Sequence, residues 1–383
     1  MQPINRRDMV RLSVAGAALA FANFPLRAFG LNDRAAEETV IPFLDAQPVD
    51  PKRPMVKWQD LTSWITPTDE VFAVSHYGTP KVDLDHWKLE ISGLIKSPKT
   101  LTLADLKKRP RKTVTATLEC SGNSSSPTFM GAVGNVRWTG TPLGPLLQEC
   151  GLHRRAIEAV FFGHDEKVEK IREQDYAQNF ARSLALKEAF REEVILAYEM
   201  NGKPLPPEHG APLRLIVPGW FGIAWVKWLK RIEVLDRRFM GKWMAREYVT
   251  IRGEERPDCT VWRETSVGPI DVKSIVARVV RRKDGSLRVT GAAWSDGTPL
   301  KKVELQIDDG RWIGVRLDRK SESRYAWTFW HYDWQNPTPG EHTLVSRATD
   351  ADGRVQPAAD DPAIALKRTY WEANQQYPRK IKV

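Results

Sequence analysis

The chain reads as an α+β protein of two domains, a mixed α/β domain followed by an immunoglobulin-like β-sandwich. Three observations lead there. Its 383 residues leave room for two domains and a sizeable core. Strand and helix patterns mix over residues 66–262. From 263 onward only short strands recur, separated by Asp284-Gly285, Asp296-Gly297, Asp309-Gly310, Pro339-Gly340 and Asp352-Gly353.

Taken in order, residues 1–30 read as an address. Asn5-Arg6-Arg7-Asp8-Met9-Val10-Arg11 precedes a mildly apolar run over 12–22, too short and too rich in Ala and Gly to span a bilayer. Paired Arg6 and Arg7 mark the twin-arginine route, which exports proteins already folded. Cleavage is expected between Ala22 and Gly30, and the mature protein in the periplasm. The competing reading is an ordinary basic, Ala-rich N-terminal helix. Residues 31–65, rich in Pro, Asp and Trp, read as an extended lead-in.

Within 66–262, Thr102 and Asp105 form a capping box for a short helix that ends before Pro110. A second helix covers 142–148 and stops at Gly151. A strand over 194–200 meets a hairpin turn at Asn201-Gly202. Further strands are expected over 213–217 and 232–235. In 263–383, Lys302-Val-Glu-Leu-Gln-Ile307 alternates clearly. About seven short strands there suggest a sandwich, and no Cys pair staples it.

Composition removes several functions. Net charge is +10, with basic residues spread along the chain and no nucleic-acid motif. The three cysteines, Cys120, Cys150 and Cys259, fit neither a zinc site nor a disulfide framework. No CxxCH attaches a haem, and the seven histidines form no HxxH or HxxxH pair. A metal here must bring most of its ligands with it. Fifteen tryptophans favour a rigid, aromatic-rich interior or cleft.

The most informative run is Thr115-Ala-Thr-Leu-Glu-Cys-Ser-Gly-Asn123. Thr113, Thr115 and Thr117 alternate with Val114, Ala116 and Leu118, so a strand delivers Cys120 to a turn of Ser121, Gly122 and Asn123. A soft sulfur at a strand end, ringed by backbone donors, suits a thiolate-binding metal. The bland alternative is one more buried thiol. A second constellation runs from His209 to Trp228 and carries Arg214 and Lys227. Converging on one anion, they suit a phosphorylated cofactor. Equally, Arg214 and Lys227 read as exposed strand residues.

Four runs, in this order, resemble the sulfite oxidase family of molybdenum enzymes. They are Ser75-His-Tyr-Gly-Thr-Pro80; Thr117-Leu-Glu-Cys-Ser-Gly-Asn123 with Arg137-Trp-Thr-Gly140; Ala197-Tyr-Glu-Met-Asn-Gly-Lys-Pro-Leu-Pro206; and His209 through Trp228. The C-terminal sandwich, with Val355-Gln-Pro357, is similar to that family's dimerisation domain. The resemblance implies a molybdenum–molybdopterin cofactor. A dithiolene supplies two sulfurs, the Cys120 thiolate a third, and oxo groups complete the metal. It places His76, Ser121, Gly122, Asn123, His209, Arg214 and Lys227 around the cofactor, and leaves Cys150 and Cys259 structural. It further implies two-electron oxygen-atom transfer on a small molecule, an external c-type cytochrome as acceptor and a homodimer.

The chain departs from that family beside the metal. Ser75 stands where an arginine is expected, and Ser124 and Ser125 where two are usual. Phe180 aligns with the family's metal-facing tyrosine, with Tyr176 four residues away. Losing such guanidiniums weakens a small dianion by about 1.5–3 kcal/mol for each charge-assisted bond. Arg182, and Arg324 of the sandwich, are candidates to substitute; the alternative makes each a surface arginine. The substitutions therefore favour a neutral or larger sulfur substrate over sulfite. Two other readings stay open: a reductase of sulfoxides using the same cofactor, and a secreted binding module with an inert Cys120.

Overall fold

The threonine alternation before Cys120 does build a strand, Lys112–Glu119, whose last residues are all buried. In this computed structural model, which describes residues 38–46, 54–318 and 323–383, that strand edges a sheet. Its neighbours, in order, are Val133–Pro142, Ile195–Met200 and Arg214–Ile216, each antiparallel to the next. The expected signal segment 1–30 lies outside the described residues, as do 31–37 and 47–53 of the lead-in. Among the described residues no helix is long and apolar enough to cross a membrane.

A second sheet orders Lys99–Leu101, Leu89–Gly93, Leu229–Leu235, Glu158–Ile171 and Gln174–Ala185. Leu229–Leu235 runs parallel to Leu89–Gly93 and antiparallel to Glu158–Ile171, so the sheet is mixed. Helices are few and short. Leu103–Lys107 carries the expected capping box: Thr102 Oγ1 accepts from Asp105 N, and Asp105 Oδ2 accepts from Thr102 N. Leu143–Glu149 gives way to Gly151 at φ +65°. Asn201 and Gly202, at φ +51° and +79°, turn the chain from Ile195–Met200 into Lys203–Pro204. Both central residues of that turn need the left-handed region, which Asn and Gly tolerate.

The C-terminal part is a sandwich as expected. One of its sheets orders Lys273–Arg281, Leu287–Trp294, Thr328–Trp334 and Arg316–Leu317. The other orders Ile313–Gly314, Leu300–Ile307, Glu341–Asp350 and Arg379–Lys382. Before it stands an unforeseen hairpin, Val249–Arg256 with Cys259–Ser266, whose second strand is exposed throughout. Position 262, where the sequence pattern suggested a domain boundary, falls inside that strand.

The first sandwich sheet is covered on both faces. Val276, Val279, Val289 and Trp330 pack into the sandwich core with Val303, Leu305 and Leu344. Ile275, Ala277, Ala292 and Trp294 join the core of the preceding domain instead. Alternate residues of a strand point to opposite faces, so one strand serves both cores. Trp58 stacks on Trp294 at 6.2 Å and lies 6.1 Å from Trp327, closing the seam between the domains. The high tryptophan count thus fills the interior: Trp138, Trp225, Trp228, Trp294, Trp327 and Trp330 are fully buried.

Candidate functional site

The C-terminal end of Lys112–Glu119 opens into a cavity with about 620 Å³ free of protein atoms, including solvent at its mouth. Cys120 and Ser121 line it, with Ser75, His76, Asp165, Phe180, His209, Arg214, Lys227 and Tyr248. The Cys120 run and the His209 run, 89 positions apart by residue number, therefore meet in space.

Cys120 is half-buried and free of any disulfide. Burial pushes its thiol up to about 11, against the pull of the Gly122 and Asn123 backbone N–H groups that point at it. The donors expected around the sulfur are thus present, and the thiolate waits on a metal to displace the proton. Asn123 does not reach the cavity. Its amide nitrogen donates to Glu119 Oε1 at 3.0 Å and its oxygen accepts from Ala132 N at 3.1 Å, which shapes the turn.

At the opposite end lie the cations. The turn Pro207–His209 ends at Gly210, φ +107°, where a Cβ would stand 2.9 Å from that of Lys227. Glycine here lets His209 and Lys227 approach. Arg214 is buried on its strand and stacks over Trp138 at 5.1 Å. Its Nη1 reaches only His209 O, at 3.3 Å. Lys227 Nζ donates to Glu208 O at 2.9 Å and sits 4.0 Å over the Trp228 ring. Among the described residues neither cation has a carboxylate partner within salt-bridge distance. The exposed-strand reading of Arg214 is therefore excluded.

Burial drives all three groups toward neutrality, opposed at Lys227 by the charges of Asp165 and Glu208. It lowers Arg214 to about 9. Burial first, then the Arg214 charge, lowers Lys227 to about 7. Burial first, then Arg214 and Lys227, lowers His209 to about 3. Near Lys227, Asp165, raised to about 6 by burial, is a carboxylate that the sequence reading missed. It follows Gly163 where the strand register shifts between Phe162 and Glu166, and a glycine inside a strand pattern is the signal that marks such a bulge.

Between these poles stands an aromatic wall. His76 stacks on Trp243 at 4.1 Å and on Phe180 at 5.6 Å. Tyr248 Oη and His76 Nε2 lie 2.9 Å apart. Burial, with Lys227 and Lys242 nearby, holds His76 at about 4, so its ring is neutral at pH 7. Burial keeps Tyr248 protonated, well above the usual phenol range. Tyr248 thus presents a phenol to the cavity beside Phe180, and no motif announced it. Ser75 lines the cavity, whereas Ser124 and Ser125 do not.

Two proposed substrate contacts are corrected. Arg182 is buried, as a surface arginine would not be, yet it does not line the cavity. Its Nη1 donates to Trp243 O at 2.5 Å and its Nη2 to Val267 O at 2.5 Å. Strand alternation explains this, since Phe180 and Arg182 share one face and Arg182 lies farther from the mouth, under Trp243. Arg324 is exposed, pairs with Glu193 at 3.2 Å and donates to Tyr325 Oη at 2.6 Å.

Residues 76–243 match the oxidoreductase molybdopterin binding domain, and residues 265–371 the Mo-co oxidoreductase dimerisation domain. Chicken sulfite oxidase (Gallus gallus) is 30% identical over 327 residues, covering 79% of this chain and 70% of that protein. The chain belongs to the sulfite oxidase family of molybdopterin oxidoreductases. Rat mitochondrial sulfite oxidase (Rattus norvegicus) is likewise 30% identical, over 80% of this chain. The chain spans only 59% of that relative's length. The crystal structure of the sulfane dehydrogenase SoxCD from Paracoccus pantotrophus superposes with a TM-score of 0.73 at 26% identity, covering 94% of this chain and 95% of that one.

The residues present fit the family's cofactor. Buried polar atoms left without partners cluster on the cavity: Ser121 Oγ, Asp165 Oδ1, His209 Nδ1 and Arg214 Nε. Native proteins leave few such groups unpaired unless something else pairs them. Arg214, Lys227 and His209 would hold an anionic phosphate, Ser121 and Asp165 the polar edges of a heterocycle, and Cys120 the metal. Among the described residues no group of three or more His, Cys, Asp or Glu stands ready to hold a bare ion. A lone thiolate suits a metal whose remaining ligands arrive with it.

Proposed function

We propose that this chain is a periplasmic molybdenum-dependent oxidoreductase that oxidises a sulfur compound whose reacting sulfur is uncharged or carried on an organic group. A sulfane-type donor fits better than free sulfite. One observation carries that preference. The basic groups lining the cavity, Arg214 and Lys227, belong to the His209 run, while the lining beside Cys120 includes Ser75, neutral His76, Phe180 and Tyr248. A small dianion there meets no guanidinium, and each missing charge-assisted bond removes about 1.5–3 kcal/mol. The solved sulfane dehydrogenase, similar over nearly the whole chain, supports the same substrate class.

When bound, the cofactor supplies two-electron oxygen-atom transfer. The chain's own residues do the rest. Cys120 anchors the metal, and the buried cations neutralise the cofactor's phosphate. Phe180 and Leu118, which line the cavity, exclude water from the reacting sulfur. Tyr248 offers a hydroxyl, oriented by His76, to an oxygen acceptor. Electrons pass to an external c-type cytochrome, as the resemblance to the family implies. The match of 265–371 to a dimerisation domain supports a homodimer, and Arg6-Arg7 supports export in the folded state.

The test is a substrate panel on protein from a cofactor-competent host: sulfite, a sulfane donor and a sulfoxide, coupled to cytochrome c or a viologen dye. The sulfane donor should show the highest kcat/KM. Efficient oxidation of free sulfite at micromolar KM overturns the reading of Ser75 and Phe180.

A further inference from the structure

The residues flanking Cys120 are tied to the C-terminal domain as well as to their own sheet. Thr117 N donates to Tyr325 O at 2.8 Å, and Thr117 Oγ1 accepts from Trp327 N at 2.8 Å. Glu119 Oε1 accepts from Lys273 Nζ at 2.5 Å, and its Oε2 from Trp294 Nε1 at 2.7 Å. Beyond the cysteine, Ser121 O accepts from Glu372 N at 2.7 Å and Ser124 O from Gln375 Nε2 at 2.8 Å. Within the first domain Cys120 N donates to Ala132 O at 2.9 Å and Cys120 O accepts from Asn123 N at 2.9 Å, with the Asn123 side chain bracing the turn.

The Glu119–Lys273 pair is an expensive way to join two domains. Both side chains are buried, at 0% and 3% exposure. Desolvating two charges commonly costs more than packing apolar residues of the same volume, so such pairs add little net stability. What an ion pair does supply is directionality: with Asn123 and Trp294 also donating, Glu119 has one permitted position. Glu119 is the last strand residue, and the next backbone link carries the metal-binding sulfur.

We propose that Glu119 and Lys273, with Trp294, form a strut through which the C-terminal domain positions the Cys120 sulfur for molybdenum. They are positioning residues, since neither lines the cavity. The proposal rests on Cys120 being the ligand, which Cys120→Ser tests separately through its molybdenum content.

The strut is tested in the full-length chain with Lys273→Met and the milder Trp294→Phe, which keeps the aromatic packing and deletes one bond to Glu119. Two readouts go beyond activity. One is the paramagnetic Mo(V) spectrum of the holoenzyme. The other is the iodoacetamide alkylation rate of Cys120 in cofactor-free protein, measured by peptide mass against exposed Cys259. Folded variants should show shifted Mo(V) g-values and a severalfold faster Cys120 reaction, more so for Lys273→Met. Their kcat should fall about tenfold with KM little changed, the pattern of a misplaced reacting group. If Lys273→Met does not fold, Trp294→Phe decides by the same readouts. An unchanged spectrum and an unchanged Cys120-to-Cys259 ratio in a folded variant overturn the proposal.

Discussion

The two ends of the cavity are built on opposite principles. At one pole Arg214, Lys227 and His209 are cationic or basic groups that, among the described residues, have no carboxylate at salt-bridge distance, and burial pushes each toward neutrality. At the other, beside Cys120, the walls are Phe180, neutral His76 backed by Trp243, and the hydroxyl of Tyr248. The first pole is unfinished without an anion. The second offers a small dianion no charged partner. Within one cavity, basic groups are thus concentrated at Arg214 and Lys227 and absent at Ser75 and Phe180.

The severest way to break this contrast is Cys120→Ser, which removes the thiol at the second pole. Molybdenum per chain and turnover should both fall to background while the circular dichroism spectrum stays near native. Retained molybdenum would count against Cys120 as the ligand. Next comes Arg214→Leu. Loss of one charge-assisted bond should cost about 1.5–3 kcal/mol of cofactor affinity, roughly ten- to a hundredfold in retention. The cofactor-free variant should be no less heat-stable than the parent, because an unpaired buried guanidinium is itself unfavourable. A drop in the melting temperature of the cofactor-free variant would mean that Arg214 serves the fold first.

Ser75→Arg sharpens the comparison from the other side. It carries a cation to the substrate pole, and kcat/KM for sulfite should rise about tenfold, the lower value for one charged hydrogen bond. Activity on an uncharged sulfur donor should stay level or decline. The smallest effect is in pH. Lys227 is lowered from 10.5 to about 7 in the folded protein, so between those values the unfolded chain binds more protons. The cofactor-free protein should therefore gain thermal stability as pH rises from 7 toward 10.5. A bound phosphate, holding Lys227 protonated, should flatten that slope. Parallel melting curves with and without cofactor would detach Lys227 from the anion site.

Local chemistry was legible in the sequence, and convergence was not. Thr102 with Asp105 and Asn201 with Gly202 act through neighbours a few residues away, so their turns could be read directly. Cys120 and the His209 run could be read because residue type alone restricts what each can do. Tyr248 carries no such mark. It reaches the site through a contact to His76, 172 positions earlier, and sits at the mouth of an exposed hairpin that no alternation foretold. Arg182 misled for the opposite reason: an arginine near Phe180 suggests substrate, yet the space under Trp243 holds two carbonyls that a guanidinium can satisfy. The bonds that tie 117–124 to 273, 294, 325, 327, 372 and 375 are equally invisible before folding.

Those last bonds also govern when the site can exist. Tyr370 and Trp371 close over Gly122, Trp371 stacks on Tyr248 at 4.2 Å, and Glu372 ties off Ser121. A ribosome releases the Cys120 turn well before the parts that shape it. The turn is therefore completed only once the chain has been made through Gln375.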